Sequence, residues 1–198
     1  MANSSLHEDT NATVIMSQLK QLIYSDLARQ YRLEGRHDVR PNFFRFLVRL
    51  PHQRFLPAVL YRTSRAAMLA GVPVLPQLLT YLNLVLFGLE ITPRCEIGPG
   101  VFFAHPSGCV IGARRMGSNV MIFQGVNVGA KELDMGFDSA VRPEVGDNVV
   151  LGIGCVVLGP IRIGDNAVIG ANSVVIRSVE PNTTVAGIPA RKIEIEAI

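Results

Sequence analysis

Apolar residues recur at every sixth position in the C-terminal part of the chain. From residue 145 onward they fall at Val145, Leu151, Val157, Ile163, Ile169 and Val175, and glycine follows four of the six. A period of six fits neither a helix nor the simple alternation of a strand. It describes a chain that turns a corner every six residues, so that three flat sides close a triangular coil of roughly 18 residues. Because one hexad cannot bury its own apolar face, only a stack of coils is stable, which predicts a mainly β fold built as a parallel β-helix.

The same period continues upstream with interruptions. One run consists of Ile91, Ile97 and Phe103, and a second of Met116, Ile122 and Val128. The spacing between the two runs predicts one extra residue near Cys109 to Arg115. Between Val128 and Val145 the period breaks, and the inserted segment has mixed charge with glycine and proline. We therefore predict an excursion loop at about residues 130–143, and long loops in compact folds often carry function.

The first 90 residues show a helical pattern instead. Apolar residues sit at helical spacing at Ile15, Leu19, Leu22, Ile23 and Leu27. Pro41 can begin a helix, Pro51 can end one, and Pro57 can begin the next. The sequence thus predicts a small α-helical N-terminal region at residues 1–90, followed by the β-helix domain at residues 91–198.

Two stretches of the N-terminal region bear on its partners. Residues 66–89 carry no charge, but they contain prolines and amides that are unfavourable at bilayer depth, so packing in a core or subunit interface is favoured over a membrane span. Between residues 29 and 65 there are nine arginines against Glu34 and Asp38. A solvated helical face explains this run, and a peripheral membrane contact through anionic lipid phosphates is the competing hypothesis.

Composition narrows the function classes. Charged residues make up 18% of the chain, apolar residues 48%, and the net charge is only +3, which argues against disorder and against nucleic-acid binding. The three cysteines have neither disulfide-framework nor metal-ligand spacing, so no metal site is predicted. The N-terminus lacks a basic-then-apolar signal pattern. We expect a cytoplasmic protein, with the inner face of the membrane as the alternative location.

The segment from residue 90 onward resembles the serine acetyltransferase-like branch of the hexapeptide-repeat acyltransferases. The resemblance is carried by EITPRCEIGPGVFFAHPSGCVIG, by IFQGVNVG, by the repeats, and by the closing VAGIPARKI. It implies a left-handed β-helix and a homotrimer, with acetyl-CoA as co-substrate in the groove between neighbouring prisms and no permanently bound cofactor. It also implies direct transfer of the acetyl group to a hydroxyl or amine, without an acyl-enzyme.

His105 and Glu90 are the predicted catalytic residues. His105 is the only histidine in the last 140 residues and stands in AHPSG, where the family has its catalytic histidine. Histidine suits a general base that must take a hydroxyl proton near pH 7. Glu90 precedes it by 15 residues, where the family has an acidic partner. A carboxylate there would orient the imidazole and stabilise its protonated form.

Two departures from the family pattern concern the acceptor. Serine acetyltransferases have Asp immediately before this histidine and Arg-His-Pro after the loop, whereas this chain has Ala104 and the run Val141, Arg142, Pro143. These differences disfavour L-serine, and the pattern is closer to the colanic-acid and exopolysaccharide O-acetyltransferases of the branch. The resemblance therefore implies a sugar or polysaccharide-precursor hydroxyl as the leading acceptor.

The remaining site residues also follow from the resemblance. Predicted acetyl-CoA contacts are Gly129, Ile153, Ala171, Arg177 and Arg191. Predicted acceptor contacts are Gln124 and Arg142, and a backbone N–H near Gly125 or Gly129 is the predicted oxyanion donor.

Three functions remain in competition at this point. The leading hypothesis is an acetyl-CoA-dependent O-acetyltransferase acting on a glycan hydroxyl. The alternative is serine O-acetyltransferase of cysteine biosynthesis, and an alternative of another class is a non-catalytic trimeric β-helix scaffold. The sequence leaves open whether the assembly is a homotrimer or a dimer of trimers.

Overall fold

The computed structural model describes the backbone of residues 2–194 and the side chains from residue 12 onward. Four helices lie in the first part of this range: α1 (Ala2–Leu33), α2 (Phe43–Arg49), α3 (Leu56–Leu69) and α4 (Leu75–Phe87). Short strands follow from Leu89. The predicted β-helix domain runs to residue 198, and residues 195–198 of it lie outside the described part of the chain.

The strands stack into a left-handed β-helix with three flat sides. They are β1 (Leu89–Ile91), β2 (Glu96–Ile97), β3 (Phe102–Phe103), β4 (Cys109–Ile111), β5 (Arg115–Met116), β6 (Met121–Ile122), β7 (Asn127–Gly129), β8 (Glu144–Val145), β9 (Val150–Leu151), β10 (Val156–Leu158), β11 (Arg162–Ile163), β12 (Val168–Ile169), β13 (Val174–Val175), β14 (Thr184–Gly187) and β15 (Ala190–Lys192). Sheet A holds β1, β4, β7, β10 and β13, sheet B holds β2, β5, β8 and β11, and sheet C holds β3, β6, β9, β12, β14 and β15. The predicted fold class is confirmed.

The period-six residues form the core of this prism. From β1 to β14, strands on the same side of successive coils pair in parallel, so that Ile97, Met116, Val145 and Ile163 are aligned in sheet B, whereas β15 folds back antiparallel on β14. All four side chains are buried. Stacked apolar residues of this kind provide the hydrophobic stabilisation that a two-residue strand lacks by itself.

Asparagine shapes the corner between sheets B and C. Asn119, Asn148, Asn166 and Asn182 all have positive φ, between 55° and 59°. Their side-chain amides bond in a ladder, with the Nδ2 of each donating to the Oδ1 of the next at 3.0–3.2 Å. Asparagine accepts the left-handed backbone conformation more readily than most residues, and the ladder replaces water as its partner.

Pro51 and Pro57 lie at helix ends as predicted, whereas Pro41 lies just before the N-cap of α2 and not within the helix. Asn42 caps α2 by accepting from the Arg45 N–H at 2.9 Å, and Pro51 follows the end of that helix. Pro57 lies in the first turn of α3. This helix joins the prism, because the Tyr61 hydroxyl donates to the Cys95 carbonyl at 2.6 Å.

The uncharged stretch at residues 66–89 is divided between the end of α3 and α4. None of the described helices is long and apolar enough to cross a membrane. The predicted packing of this stretch in a core is observed for only some of its residues. Asn83 is buried and donates to the Pro57 carbonyl, but Leu78, Tyr81 and Val85 are more than half exposed. α4 packs on α3 and β1 with one face and leaves the other face open.

Candidate active site

Three of the predicted site residues occupy equivalent positions at one corner of the prism, where sheet C turns into sheet A. The Gly154 N–H donates to the Gln124 carbonyl at 2.8 Å, and the Asn172 N–H donates to the Ile153 carbonyl at 2.7 Å. Because the same bond repeats from coil to coil, Gln124, Ile153 and Ala171 lie one above the other. We call this set the corner column.

His105 lies at the same corner, in the coil before Gln124. Phe103 pairs with Ile122, and Ile111 pairs with Val128. The first coil nevertheless takes eight residues from Phe103 to Ile111, whereas the next takes six from Ile122 to Val128. The corner that carries His105 is therefore two residues longer than the corner below it.

Backbone hydrogen bonds identify the two extra residues. The Ala104 N–H donates to the Ile122 carbonyl at 2.9 Å, as regular pairing requires, and the Gly125 N–H donates to the Ser107 carbonyl at 2.9 Å. Ser107 thus takes the position that Gln124 takes in the next coil, and residues 105–106 have no counterpart there. The imidazole of this insertion is exposed. The same bond occupies the N–H of Gly125, which had been one candidate for the oxyanion donor.

The predicted position of the irregularity is corrected by this pairing. The hexad count predicts one extra residue between Cys109 and Arg115. The structure has two extra residues at 105–106 and one residue fewer between Ile111 and Met116. Together, the two changes add one residue between the regular runs, and the spacing of apolar residues shows only this net difference.

Glu90 lies on the outer face of sheet A, in the first coil. Its side chain is exposed, whereas Leu89 and Ile91 on either side are buried. Its strand position pairs with Val110. Within the described residues, no hydrogen bond or ion pair joins Glu90 to His105, so the catalytic dyad stays a prediction.

A cavity of about 550 Å³ separates the outer face of sheet A from the excursion loop. Glu90 stands at one wall, and the loop forms the opposite wall. The lining includes Glu90, Arg94, Asn127, Gly129, Phe137 and Arg142. The cavity thus brings together Glu90, Gly129 and Arg142 of the predicted site, whereas the corner column lies outside its lining.

Arg142 is occupied by contacts within the loop. Its Nε donates to the Asp134 carboxylate at 2.9 Å, and its Nη1 donates to the Gly112 carbonyl at 2.8 Å. Its guanidinium also lies 4.1 Å from the centroid of the Phe137 ring. The structure gives this side chain a local role in holding the loop, and its predicted contact with an acceptor stays a prediction.

The predicted acetyl-CoA contacts spread along the prism. Ile153 is 43% exposed, and a Cβ added to Gly129 would meet no atom within 4 Å. Arg177 and Arg191 are exposed near the C-terminal end of the prism, and within the described part of the chain neither side chain has a hydrogen-bond or ion-pair partner. Unpaired guanidinium groups are suited to charge-assisted bonds with phosphates.

Gln124 places a polar side chain at the corner column. Its Oε1 atom is buried and has no hydrogen-bond partner among the described residues. A buried acceptor without a donor is costly, so a ligand N–H or O–H at this place would satisfy it.

Sequence reasoning missed Arg94 and Asn127 at the cavity. Asn127 could have been found, because it is an outward-facing polar residue two positions before Gly129.

A metal centre finds no support in the described part of the chain. It contains no group of three His, Cys, Asp or Glu side chains that could hold an ion. The three cysteines are buried and free, and burial raises the pKa of the Cys155 thiol to about 12. These thiols act as small core residues.

Comparison with known proteins identifies the repeats and their relatives. Residues 142–177 match the family described as Bacterial transferase hexapeptide (six repeats). The serine acetyltransferase of Synechococcus elongatus is 41% identical over 148 residues, covering 74% of this chain and 59% of that protein. The serine acetyltransferase of Synechocystis sp. is 44% identical over 137 residues, covering 68% and 53%. The chain therefore spans somewhat more than half the length of these curated relatives.

Solved structures extend the likeness across the helical region. Neisseria gonorrhoeae serine acetyltransferase superposes with a TM-score of 0.77 at 30% identity, over 90% of this chain and 67% of that one. The soybean serine acetyltransferase apoenzyme gives 0.74 at 30% identity, over 88% and 69%. A serine acetyltransferase in complex with CoA gives 0.76 at 26% identity, over 94% and 74%. The chain belongs to the hexapeptide-repeat transferase family, in its serine acetyltransferase-like branch.

Proposed function

We propose that the protein transfers an acetyl group from acetyl-CoA to a hydroxyl group, with L-serine as the acceptor. The observation that carries the proposal is the two-residue insertion that exposes His105 directly beside the corner column. A histidine in this position is accessible to a substrate, and the coil that follows it is bonded to the strand of Glu90, because β4 pairs with β1 and places Val110 opposite Glu90. The serine acetyltransferase relatives supply the acceptor.

The reaction requires one base and no covalent enzyme intermediate. His105 takes the proton from the acceptor hydroxyl while the oxygen attacks the thioester carbonyl carbon of acetyl-CoA. The tetrahedral intermediate then collapses, the carbon–sulfur bond breaks, and the imidazolium returns its proton to the departing CoA thiolate. In the complete assembly, the Glu90 carboxylate lies close to His105 and stabilises its imidazolium form.

Acetyl-CoA is assigned to the outside of the prism along the corner column. This assignment moves Gln124 from the predicted acceptor contacts to those of acetyl-CoA, because its buried Oε1 can accept from an amide or hydroxyl of the co-substrate. Ile153 below it presents an apolar surface. Arg177 and Arg191, at the far end of the prism, can meet the phosphates of the nucleotide part. The CoA complex of a related structure supports this co-substrate.

A sugar hydroxyl is the second candidate acceptor. Ala104 supplies no carboxylate next to His105, and the Arg142 guanidinium is already bonded to Asp134. Both features remove groups that would otherwise bind the charged ends of an amino acid. They support a neutral hydroxyl compound, whereas the relatives support serine, and we rank serine first because its support covers most of the chain.

We also propose that the working assembly is a homotrimer, in which the groove between two prisms completes the site. Apolar side chains remain open on the prism, with Val110 at 42% and Ile176 at 48% exposure. Among the residues that the structure describes, no hydrogen bond or ion pair joins His105 to Glu90. A second subunit would bury these surfaces and narrow the groove.

The proposal is tested by acetyl-CoA consumption against L-serine, D-serine and a panel of sugars and nucleotide sugars. L-serine should support CoA release well above the rate without acceptor. Turnover with a sugar and none with L-serine would transfer the assignment to the second candidate. Absence of turnover with every hydroxyl compound, with acetyl-CoA still bound, would contradict the enzymatic assignment.

A further inference from the structure

The excursion loop is held down on the prism by its own arginine. This loop, residues 130–143, leaves the coil after β7, contains a short 3-10 helix at Ser139–Val141, and returns at β8. Arg142 donates from Nε to Asp134 at 2.9 Å, and Asp134 accepts a second bond from the Asp138 N–H at 2.8 Å. The Arg142 side chain is 11% exposed and that of Asp134 is 12% exposed. The Arg142 Nη2 lies 2.7 Å from the same Oδ2 oxygen of Asp134. A charge-assisted pair that is largely shielded from solvent is stronger than an ordinary surface ion pair.

The same arginine ties the loop to two other places. Its Nη1 donates to the Gly112 carbonyl in the turn after β4, at 2.8 Å. Its guanidinium covers the Phe137 ring, whose residue has φ of 58°. A bulky residue in the left-handed region is strained, and such strain persists only where the surroundings enforce it. Arg142 is thus the link between the loop, the prism and a strained loop conformation.

A second arginine fastens the loop from the first coil. The Arg94 Nη1 donates to the Gly136 carbonyl at 2.6 Å. Arg94 is itself well placed, because the Arg65 Nη1 donates to the Pro93 carbonyl at 2.9 Å. Arg94 and Glu90 belong to the same coil and line the same cavity. The loop is therefore anchored close to Glu90 and not only at its base.

We propose that Arg142 and Asp134 are positioning residues that close the excursion loop over the cavity in front of Glu90 and thereby shape the acceptor site. Every nitrogen of the Arg142 guanidinium has a partner within the protein, so the side chain acts through the loop and not by touching the acceptor. The inference rests on the proposed acetyl transfer for its kinetic consequence. The structural part, that this pair holds the loop, is independent of any activity.

The chain offers a set of matched variants. Arg142→Ala removes all the bonds, Asp134→Ala removes the carboxylate, and the double exchange Asp134→Arg with Arg142→Asp restores one ion pair with reversed charge. Arg114→Ala is the control, because Arg114 makes a comparable bond to Glu144 at 2.7 Å but is 53% exposed and lies outside the loop. Thermal unfolding of each variant verifies that the prism is intact.

Hydrogen exchange and steady-state kinetics together test the proposal. In both alanine variants, amides of residues 130–141 should exchange faster than in the wild type, with coil amides unchanged and with partial recovery in the exchanged pair. kcat/KM for the acceptor should fall by about 10–100-fold, as expected for a misplaced binding wall, while KM for acetyl-CoA stays within about twofold. Arg114→Ala should leave loop exchange and kinetics as in the wild type.

Two results would overturn the proposal. Unchanged loop exchange in Arg142→Ala would mean that the pair does not hold the loop. If Arg142→Ala lost acceptor turnover while its loop amides stayed as protected from exchange as in the wild type, Arg142 would be a direct ligand of the acceptor. A wild-type protein without any acetyl transfer would contradict the proposed function alone, because the exchange measurement would still decide whether the pair holds the loop.

Discussion

The carboxylate of Asp26 and the guanidinium of Arg62 form a buried ion pair between helix α1 and helix α3, with Oδ2 and Nε 3.0 Å apart. Both side chains are about 1% exposed. Asp26 also accepts from the backbone N–H groups of Gly100 and Val101 at 2.8 and 2.9 Å, and Arg62 donates to the Gly98 carbonyl at 2.6 Å. The pair therefore attaches the helical region to the first coil of the prism.

This attachment predicts a large loss of stability when one partner is removed. Burial raises the pKa of the Asp26 carboxyl, and the Arg62 guanidinium and the two backbone donors oppose that rise. Arg62→Met leaves the carboxylate buried without its counter-charge, which should lower the free energy of unfolding by about 3–5 kcal/mol. Chemical denaturation measures the change. Arg36→Met, at an exposed arginine, is the control, and an equal loss in both variants would contradict a special role for the pair.

The asparagine ladder predicts a specific order of two substitutions. Asn148 has φ of 55° and bonds to Asn119 and Asn166 through its side chain. Asn148→Gly loses these bonds but keeps the backbone freedom, whereas Asn148→Ala also adds left-handed strain of about 1–2 kcal/mol. The alanine variant should therefore unfold at lower denaturant concentration than the glycine variant. Equal stability of the two would show that the corner tolerates a Cβ without strain.

The buried thiols predict a pH dependence of stability. Burial raises the pKa of Cys95 and of Cys155 to about 12, from an ordinary value near 9.0. In the unfolded chain these thiols ionise at their ordinary pKa, so the unfolded state loses protons first as the pH rises. The free energy of unfolding should therefore fall from about pH 8 upward. In parallel, the native protein should react slowly with a thiol reagent at pH 8, and one rapidly reacting thiol per chain would contradict the burial.

Assembly can be measured directly. With a chain mass of 21.5 kDa, sedimentation should give a species of three chains or a multiple of three. The exposed face of α4, with Val85 at 61% and Leu86 at 54%, is a candidate for pairing trimers or for contact with anionic lipid. Flotation with anionic vesicles distinguishes these, because binding weakened by salt indicates lipid. A stable and active monomer would contradict the proposal of a shared site.

The fold could be predicted because the six-residue repeat itself fixes which residues stack in successive coils. The apolar spacing from Val145 to Val175 was sufficient, since each coil buries the same positions as the coil before it. The spacing of apolar residues could not locate the two-residue insertion at residues 105–106, because the next segment is one residue shorter than regular. That shortening cancels half of the insertion in the residue count. Arg142 shows a second limit. Its place in the chain suggested an acceptor ligand, but its bond to Asp134 depends on how the loop folds back, which no local pattern encodes.

The placement of the predicted site residues relative to one another was predictable only where they lie on regular coils. Gln124, Ile153 and Ala171 fall into one column because the repeat places them there. The relative placement of Glu90 and His105 depends on the irregular corner, and the described residues show no hydrogen bond between their side chains. Glu90→Gln should reduce kcat less than loss of the histidine does, with KM for acetyl-CoA little changed. A Glu90→Gln variant with wild-type kcat would remove this carboxylate from the mechanism.

The most direct test of the central claim is the steady-state rate of CoA release by His105→Ala with L-serine as acceptor. The variant should lose about 10²–10⁴-fold in kcat, the range expected for a general base, and should retain the KM for acetyl-CoA. His37→Ala, at an exposed histidine of the helical region, should behave as the wild type. A His105→Ala enzyme that turns over within a few-fold of the wild type would contradict the assignment of His105 as the catalytic base.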